Sequence, residues 1–512
     1  MKQTLELYFV TSGELPKESI EDLKQFILKY EQDLNSKRPK GKFNIELSEI
    51  KDKKIFLLLN STESYAPHTI VLRMRKQLAQ EIGKKYKIGL RGFKFTKYQI
   101  EKKLKLEPKR EFTLPLTSKL DFFKKEDEPW VRIEIDPEIE EDFVEKGAIE
   151  RILRRINDKI SKDYHGAKKE HHTVAWYSGE KNLLTSKNPT KILEKEGWIK
   201  RTNYRNQWIL TPSITAVVEA IKKIMVDHIY TPLNYQKMMI PKLVDWSIWL
   251  RSGHAEGMFQ GGFEPYFVVQ PKSASPEYFE EIADYITITK TIPEDKLYEK
   301  ITPPIGGLSY AQCPPFWAWL QGKTIAKDSL PILVYDWSGP TYRYESGSAY
   351  GFERVDELHR IETLFIGTPK QVKEVATETR KKLREVFDKI FDLEVREAKV
   401  MPWWLEQSAK DEDEEEDMLV GTIDFEAYMP YRGSRDESEW LEIQNISIIG
   451  DKYPRGFSVK TEGGKDLWSG CGGGSFERFI TAFVSQKGIK IDEWPEPFLK
   501  YLDNIPEPPK FL

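Results

Sequence analysis

The sequence is short of cysteine and has no long apolar run. Its 512 residues contain only two cysteines, Cys313 and Cys471, which form no disulfide framework of the kind found in small secreted domains. No apolar stretch approaches the roughly 18 residues that cross a bilayer, and the opening MKQTLELYFV lacks the features of a secretory signal. The glycine fingerprints of a Rossmann crevice and of a P-loop are also missing. We therefore expect a soluble, cytoplasmic protein with no membrane partner, in which any ATP is held without a P-loop.

Length and composition indicate a globular protein with more than one domain. Hydrophobic residues make up 39% and aromatic residues 12% of the sequence, which is too rich for a disordered chain. Its 512 residues exceed the roughly 100–200 that one domain needs. The stretch 161–172, SKDYHGAKKEHH, has no apolar period and is typical of a linker. The sequence therefore predicts an α+β domain over 1–165 and a second domain over 166–512.

A basic block stands out in the first domain, although the whole chain has a net charge of only −3. Residues 69–110 contain 14 Lys and Arg but three acidic residues. Such a block is either a solvated helix face or a contact for a polyanion. The interleaved Arg91, Phe93, Phe95 and Tyr98 favour RNA, because aromatic rings can stack on unpaired bases. The candidate phosphate contacts are Arg73, Arg75, Lys76, Lys84, Lys85, Arg91 and Lys94.

The second domain mixes a long helix with strand-like runs. Apolar residues recur at helical spacing over 213–230, whereas 330–336, 364–367 and 440–450 are typical of strands. These elements follow no regular βαβ repeat, and their order indicates an antiparallel sheet flanked by helices. The predicted fold class is α+β, with an antiparallel core and a separate α+β domain before it.

Three segments of the second domain carry charged residues in a specific order. They are 238–254 (MMIPKLVDWSIWLRSGH), 339–366 (GPTYRYESGSAYGFERVDELHRIETLFI) and 468–483 (WSGCGGGSFERFITAF). The first is a strand centred on a proline, the second contains an aromatic-Arg-x-Glu sequence, and the third is glycine-rich and ends in Glu-Arg. Taken together, they resemble motifs 1, 2 and 3 of the class II aminoacyl-tRNA synthetases.

This resemblance implies how the site would activate an amino acid, whose carboxylate attacks the α-phosphate of ATP. Arg343 and Arg478 would be the catalytic residues, because a bidentate guanidinium suits phosphate and carboxylate together. Glu345 would meet the adenine, Arg354 would meet the γ-phosphate, and Glu442 would hold the Mg²⁺ that accompanies ATP. The full predicted ATP-binding set is Arg343, Tyr344, Glu345, Arg354, Val355, Glu442 and Arg478.

Both cysteines fall within this part of the chain. With Glu362 they offer three of the four ligands of a tetrahedral zinc ion and leave one position for a substrate. Spacing alone favours two buried, unreactive thiols. However, Cys313, Glu362 and Cys471, with GFERVDELHRIE and EIQNIS, resemble the methanogen-type (type-2) seryl-tRNA synthetases. That family implies one zinc ion per chain, held by these three residues. The first 165 residues show no sustained heptad run, which also fits this type rather than the coiled-coil type.

The same resemblance implies a serine pocket at the zinc ion. The metal would chelate the amine and the hydroxyl of serine, and the pocket would be lined by Ala311, Arg343, Arg360, Ile361, Glu362 and Asn445, with Ser447 nearby. A helix-turn-helix insertion near 395–425 would bring either Trp403 or Trp404 over the serine.

The expected function is therefore that of a serine–tRNA ligase, which forms seryl-adenylate from serine and ATP and transfers the serine to tRNA(Ser). Whether tRNA(Sec) is charged as well stays open. The first motif predicts a homodimer with a two-fold interface. One alternative is a zinc-dependent amino acid:carrier-protein ligase of the same fold, which would lack the N-terminal basic domain. Another is a regulatory RNA binder, which would have lost Arg343, Arg478 or a zinc ligand.

Overall fold

The computed structural model describes residues 1–37, 42–62, 66–137, 139–165, 173–259, 265–344, 351–400, 421–436, 438, 440–464 and 466–509. The chain divides into two compact units, Met1–Lys169 and Glu170–Leu512. Each unit has a hydrophobic core of its own. Within the described ranges, no helix combines the length and the apolar character needed to cross a membrane.

The first unit is built on an antiparallel sheet of six strands in the order β2-β3-β1-β4-β6-β5. The strands are β1 (Lys2–Thr11), β2 (Phe43–Lys51), β3 (Lys54–Thr62), β4 (Leu90–Lys103), β5 (Thr117–Lys125) and β6 (Glu128–Ile135). The helices are α1 (Lys17–Lys37), α2 (Pro67–Leu78), α3 (Lys84–Tyr86), α4 (Glu141–Glu145) and α5 (Ala148–His165). A π-helical turn, Ala79–Gly83, joins α2 to α3.

The packing of this unit follows from its sequence periods. Along β1, Leu5, Leu7 and Phe9 are buried while the residues between them are partly exposed, because successive side chains point to opposite faces of the sheet. On α2 the buried residues recur every three or four positions, with Val71 and Met74 fully buried, which is the period of an amphipathic helix.

One prediction for this unit is wrong. Phe93, Phe95 and Tyr98 are 6%, 3% and 1% exposed and belong to the core, so their rings cannot stack on RNA bases. The alternation of β4 turns these rings inward and leaves Arg91 and Lys94 exposed. The aromatic residues in the basic block therefore serve the fold.

The second unit contains a nine-stranded sheet in the order β10-β15-β17-β22-β20-β19-β18-β7, with β16 paired to β17. The strands of this unit are β7 (Thr173–Tyr177), β8 (Ile199–Arg201), β9 (Trp208–Leu210), β10 (Gln236–Lys237), β11 (Leu243–Asp245), β12 (Phe267–Val268), β13 (Gly306–Leu308), β14 (Thr324–Ile325), β15 (Ile332–Asp336), β16 (Pro340–Tyr342), β17 (Glu357–Gly367), β18 (Val395–Val400), β19 (Gly421–Ala427), β20 (Leu441–Gly450), β21 (Lys460–Thr461) and β22 (Trp468–Ser475). Apart from β10, which runs parallel to β15, neighbouring strands of the large sheet are antiparallel.

The helices of the second unit are α6 (Pro189–Lys195), α7 (Pro212–Met225), α8 (Trp246–Arg251), α9 (His254–Gly257), α10 (Glu280–Thr289), α11 (Glu294–Lys300), α12 (Cys313–Leu320), α13 (Pro369–Glu385), α14 (Lys452–Gly456), α15 (Phe476–Lys487) and α16 (Glu496–Leu499). Helices α7, α13 and α15 contribute to the main core. A capping box formed by Thr368 and Gln371 begins α13, and the Ser475 hydroxyl accepts a hydrogen bond from the Arg478 backbone N–H at the start of α15.

The predicted elements of this unit are confirmed, with shifted ends. The strands expected at 330–336 and 440–450 contain β15 and β20, and the strand expected at 364–367 is the end of β17. The helix expected at 213–230 is α7, which a π-helical turn, Val226–Tyr230, extends.

The range predicted for the helix-turn-helix insertion, 395–425, needs a correction at both ends. Residues 395–400 form β18 and residues 421–427 form β19, and the two strands pair in register from Val395–Ala427 to Val400–Thr422. Residues 401–420, with Trp403 and Trp404, lie outside the described part of the chain, so the insertion itself stays a prediction.

Candidate active site

Cys313, Glu362 and Cys471 come together in the second unit, and we refer to them as the Cys-Glu-Cys cluster. One ligand atom from each residue lies within 4.8 Å of the others, and all three residues are buried. Within the described ranges, no other group of three or more His, Cys, Asp or Glu residues has this geometry. Two thiols and a carboxylate are a zinc-type ligand set, and three protein ligands leave a coordination position for a substrate.

The sheet accounts for two members of the cluster. Where β17 pairs with β22, Glu362 lies opposite Gly473 and Leu364 lies opposite Cys471. Because side chains two positions apart along a ladder share a face, Glu362 and Cys471 project to the same side. Cys313 is the first residue of α12 and closes the cluster from outside the sheet.

The pKa values of the Glu362 carboxyl and the Cys471 thiol are consistent with a cation site. Burial raises the pKa of Glu362, although the guanidinium of Arg360 opposes this shift. A hydrogen bond with Cys313, together with burial, raises the pKa of the Cys471 thiol. Groups that resist ionisation in a buried place become stable anions when they ligate a metal, so the donor set and its burial both suit a zinc ion.

Gly473 makes room for the carboxylate of the cluster. Arg360 Nη2 donates a hydrogen bond to Glu362 Oε2 at 2.9 Å, and a Cβ at position 473 would overlap both of these atoms. The Gly473 backbone N–H donates to Asn445 Oδ1 at 3.1 Å. Only glycine allows this close approach of strand and side chains.

A β-bulge on β20 brings Glu442 and Asn445 to one face. The pairing of β19 with β20 shifts register between Phe425 and Glu426, which leaves Ile443 without an opposite residue. As a result, side chains three positions apart meet, and Asn445 Nδ2 donates to Glu442 Oε1 at 3.2 Å. Bulges beside active sites commonly re-aim side chains in this way.

Three arginines surround Glu442. Arg478 Nη1 donates to Glu442 Oε2 at 3.1 Å and to the Glu442 backbone oxygen at 3.0 Å. Burial raises the pKa of Glu442, but Arg478, Arg343 and Arg360 lower it by more, so its net pKa is below the usual value. Since the Glu442 side chain is still 40% exposed, an anionic ligand and its counter-ion can reach this arginine group.

Arg343 and Tyr344 directly follow β16. The Arg343 backbone N–H donates to the Asp356 carbonyl at 2.8 Å, which ties the two arms of the second motif together. The Tyr344 ring is 42% exposed and lies under the Arg205 guanidinium, 4.0 Å from the ring centroid. Arg205 is a residue that sequence reasoning missed. The predicted adenine contact, Glu345, lies outside the described residues.

Two predicted binding residues turn their side chains into the protein. Val355 is 3% exposed, and Ile361 is 1% exposed within the main core. Ile361 points away from Arg360 and Glu362, because neighbours alternate along β17. These two positions can therefore meet a ligand only through their backbone groups. Arg354 is partly buried, between the turn 351–353 and β17.

A buried ion pair beside the Cys-Glu-Cys cluster was also not predicted from the sequence. Lys242 Nζ donates to Asp336 Oδ2, and Gln312 Nε2 donates to the same oxygen at 3.2 Å. Asp336 lies opposite Glu362 in the pairing of β15 with β17, and Gln312 precedes Cys313. No spacing in the sequence links these residues, so only the fold reveals that they support two members of the cluster.

The seven basic candidates of the first unit separate into two groups. Arg75 forms ion pairs with Glu141 and Glu145, and Lys85 forms one with Asp22, so these two are engaged within the unit. The other five are exposed, and none makes an ion pair with a described residue. We call them the N-terminal basic group: Arg73, Lys76, Lys84, Arg91 and Lys94.

Comparison with known proteins agrees with this architecture. Residues 1–158 match a family model described as a tRNA-binding domain, and residues 307–487 match the tRNA synthetase class II core domain (G, H, P, S and T). The fold and the site therefore define a class II aminoacyl-tRNA synthetase, and the predicted fold class is confirmed. A type-2 serine–tRNA ligase from Methanococcoides burtonii is 40% identical over 464 residues, which is 91% of this chain and 90% of that protein. The chain belongs to the type-2 serine–tRNA ligase family.

Two further relatives span almost the full length. A type-2 serine–tRNA ligase from Methanothrix thermoacetophila is 39% identical and covers 87% of this chain and 86% of its own. The crystal structure of M. kandleri SerRS in complex with A. aeolicus tRNASec has a TM-score of 0.75 and 27% identity, and the match covers 100% of this chain and 99% of the other. The carrier-protein ligase alternative finds no support in these comparisons.

Proposed function

We propose that this protein is a zinc-dependent serine–tRNA ligase of the type-2 family. The observation that carries the proposal is the Cys-Glu-Cys cluster, which lies one strand away from the arginine group around Glu442. The first offers a place for a small amino acid at a metal, and the second offers a place for the phosphates of ATP. Serine activation needs both to be adjacent.

Cys313, Glu362 and Cys471 would hold the zinc ion. When bound, the ion would act as a Lewis acid with one coordination position open to the substrate. A site built to ligate a hydroxyl rejects the analogue that lacks it, by about 10⁴-fold in comparable cases. Ala311, Arg360 and Asn445 would line the serine at this position, and Arg360 keeps Glu362 oriented through their 2.9 Å hydrogen bond.

The arginine group would supply fixed positive charge for adenylate formation. The serine carboxylate attacks the α-phosphorus of ATP, the bond to the β-phosphate oxygen breaks, and diphosphate leaves. Two anions meet in this step, so positioning and electrostatic stabilisation are the main requirements. Arg343 would hold the α-phosphate and the carboxylate, whereas Arg478, oriented by Glu442, would hold the far side of ATP. Glu442 would then share its carboxylate with the Mg²⁺ of the nucleotide.

The first unit would bind tRNA. The N-terminal basic group is exposed without ion pairs to described residues, and residues 1–158 match a tRNA-binding domain model. Lys and Arg without acidic partners are suited to phosphate contacts. We propose tRNA(Ser) as the acceptor and tRNA(Sec) as a second one, since a structural relative is described in complex with a tRNASec.

We also propose that the enzyme works as a homodimer in the cytoplasm. Met239 and Leu243 flank Pro241 in the first motif and are 75% and 65% exposed. Large apolar side chains with this exposure are typical of a surface that a partner covers. Light scattering at micromolar concentration should give twice the chain mass of 59.9 kDa, and a monomer would contradict the two-fold interface.

The direct test is amino-acid-dependent exchange between ATP and pyrophosphate. Serine should support exchange, whereas alanine and threonine should not, and removal of zinc by a chelator should abolish it reversibly. Cys471→Ala should lose the metal and the exchange. Ser469→Ala is a matched control, because Ser469 is buried on the same strand and donates only to the Gly450 carbonyl, at 3.2 Å. Active protein without zinc, or full activity in Cys471→Ala, would disprove the proposal.

A further inference from the structure

A chain of buried polar side chains leads away from Cys313. Cys313 Sγ lies 3.5 Å from Tyr453 Oη, and Tyr453 Oη lies 3.4 Å from His254 Nε2. His254 Nδ1 in turn lies 3.0 Å from Ser252 Oγ. Tyr453, His254 and Ser252 are 1%, 5% and 0% exposed, so bulk water does not compete for these hydrogen bonds.

Aromatic packing fixes the geometry of this chain. The Tyr453 ring packs against Trp317 on α12, with centroids 5.8 Å apart, and is stacked on the His254 ring at 5.9 Å. The ring centroids of Trp249 and His254 are 6.1 Å apart. These two ring contacts and the burial of Tyr453 restrict the rotation of its ring and keep the hydroxyl beside the sulfur.

The chemistry of the cysteine sets the direction of these hydrogen bonds. A cysteine that ligates a metal is a thiolate and can only accept, so Tyr453 Oη–H must donate to Cys313 Sγ. The Tyr453 oxygen then accepts from His254 Nε2–H, which requires Nδ1 to accept from the Ser252 hydroxyl. Ser252 Oγ lies 3.0 Å from Nδ1 and 3.1 Å from the Trp249 carbonyl, and its one proton can serve either acceptor. With Cys313 as a thiolate, this proton is on the side of Nδ1. Burial lowers the pKa of His254 to about 3, so the ring is neutral and carries one proton, as this arrangement requires.

We propose that Tyr453 is a positioning residue for the metal ligand Cys313, and that His254 acts through Tyr453 by holding its hydroxyl toward the sulfur. This inference rests on the proposed zinc site. Hydrogen bonds to a ligating sulfur tune the metal–thiolate bond, and loss of an outer-sphere partner typically weakens metal binding about 10–100-fold.

The experiment measures zinc affinity in the full-length protein by competition with a chromophoric chelator. Tyr453→Phe removes one oxygen atom and keeps the ring, and we expect the Kd for zinc to rise about tenfold. Tyr235→Phe is the matched control. Tyr235 is also buried, but its hydroxyl bonds to Thr379 at 3.0 Å in the main core, so this variant should bind zinc like the wild type.

A spectroscopic readout separates positioning from general stability. In the cobalt-substituted protein, Tyr453→Phe should move the thiolate-to-cobalt charge-transfer band to lower energy, because a thiolate without its hydrogen bond is the better electron donor. His254→Phe should weaken zinc binding by a smaller factor, and the double variant should be no weaker than Tyr453→Phe alone, since both residues act on one atom. If Tyr453→Phe does not fold, His254→Phe carries the same test.

The outcomes distinguish the inference from the function on which it rests. Wild-type affinity and an unmoved band in Tyr453→Phe, while the wild type binds zinc, would overturn the inference alone. Additive losses in the double variant would overturn the role assigned to His254. A wild-type protein that binds no zinc would overturn the inference together with the proposed metal site.

Discussion

Replacing Gly473 by alanine tests the geometry of the site more sharply than removing a ligand does. The added Cβ would overlap Arg360 Nη2 and Glu362 Oε2, the two atoms of the 2.9 Å hydrogen bond that orients the cluster carboxylate. The backbone of β22 cannot retreat easily, because its Gly473 N–H is bonded to Asn445 Oδ1 and the strand is paired on both sides. The side chains of Arg360 and Glu362 must therefore move.

The expected size of the effect follows from the cost of overpacking. An extra methyl group in a packed interior costs about 1–3 kcal/mol, and relief of this strain would displace Glu362 from the two cysteines. Each 1.4 kcal/mol or so corresponds to a tenfold change in an equilibrium constant. We therefore expect Gly473→Ala to weaken zinc binding about 5- to 100-fold, and the KM for serine in pyrophosphate exchange should rise with it.

The assay compares Gly473→Ala with Gly13→Ala, a position where a Cβ meets no atom within 4 Å. Both variants should show the circular dichroism of the wild type, and only the first should lose zinc to a competing chelator. Saturating zinc should restore much of the exchange activity, because the ligands are displaced rather than removed. Unchanged zinc affinity in Gly473→Ala would refute the assignment of Glu362 as a ligand held by Arg360.

Other parts of the molecule give further expectations. Arg343→Ala and Arg478→Ala should each slow adenylate formation on the order of 10²–10³-fold, as expected for a lost preorganised donor, while zinc content stays unchanged; near-normal exchange would refute the role of the arginine group. Reversal of two members of the N-terminal basic group, Arg73→Glu with Lys76→Glu, should raise the KM for tRNA about 5- to 30-fold at low salt and leave pyrophosphate exchange intact. The same double reversal at the exposed Lys42 and Lys51, at the two ends of the edge strand β2 and outside the basic block, should leave that KM unchanged, and equal effects would show that the contacts are unspecific. Burial lowers the pKa of His359, but the hydrogen bond to Glu477 and the negative charges of Glu477 and Glu357 together raise it to a net value above the usual one; the free energy of unfolding should therefore fall as the pH rises from 6 to 8, and this fall should shrink in His359→Gln when urea unfolding is measured at both pH values.

Local sequence was sufficient to predict much of the fold and of the site. The alternation of β17 and β20, the helical period of α7 and the order of the three segments predicted the antiparallel core. The metal cluster of Cys313, Glu362 and Cys471 was predicted from the family resemblance, whereas spacing alone favoured two unreactive thiols. The fold predictions depend on short periods, which are written in consecutive residues, and the site predictions depend on motifs shared with a family.

The structure alone decided which side chains meet, because contacts between distant residues depend on register and burial. The bulge at Ile443 turns Glu442 to the face of Asn445. Burial removed Phe93, Phe95 and Tyr98 from the proposed RNA surface, and ion pairs engaged Arg75 and Lys85. The link from Cys313 through Tyr453 to His254 joins residues that no local pattern connects, since a hydrogen bond requires two atoms in one place, and only tertiary packing puts them there.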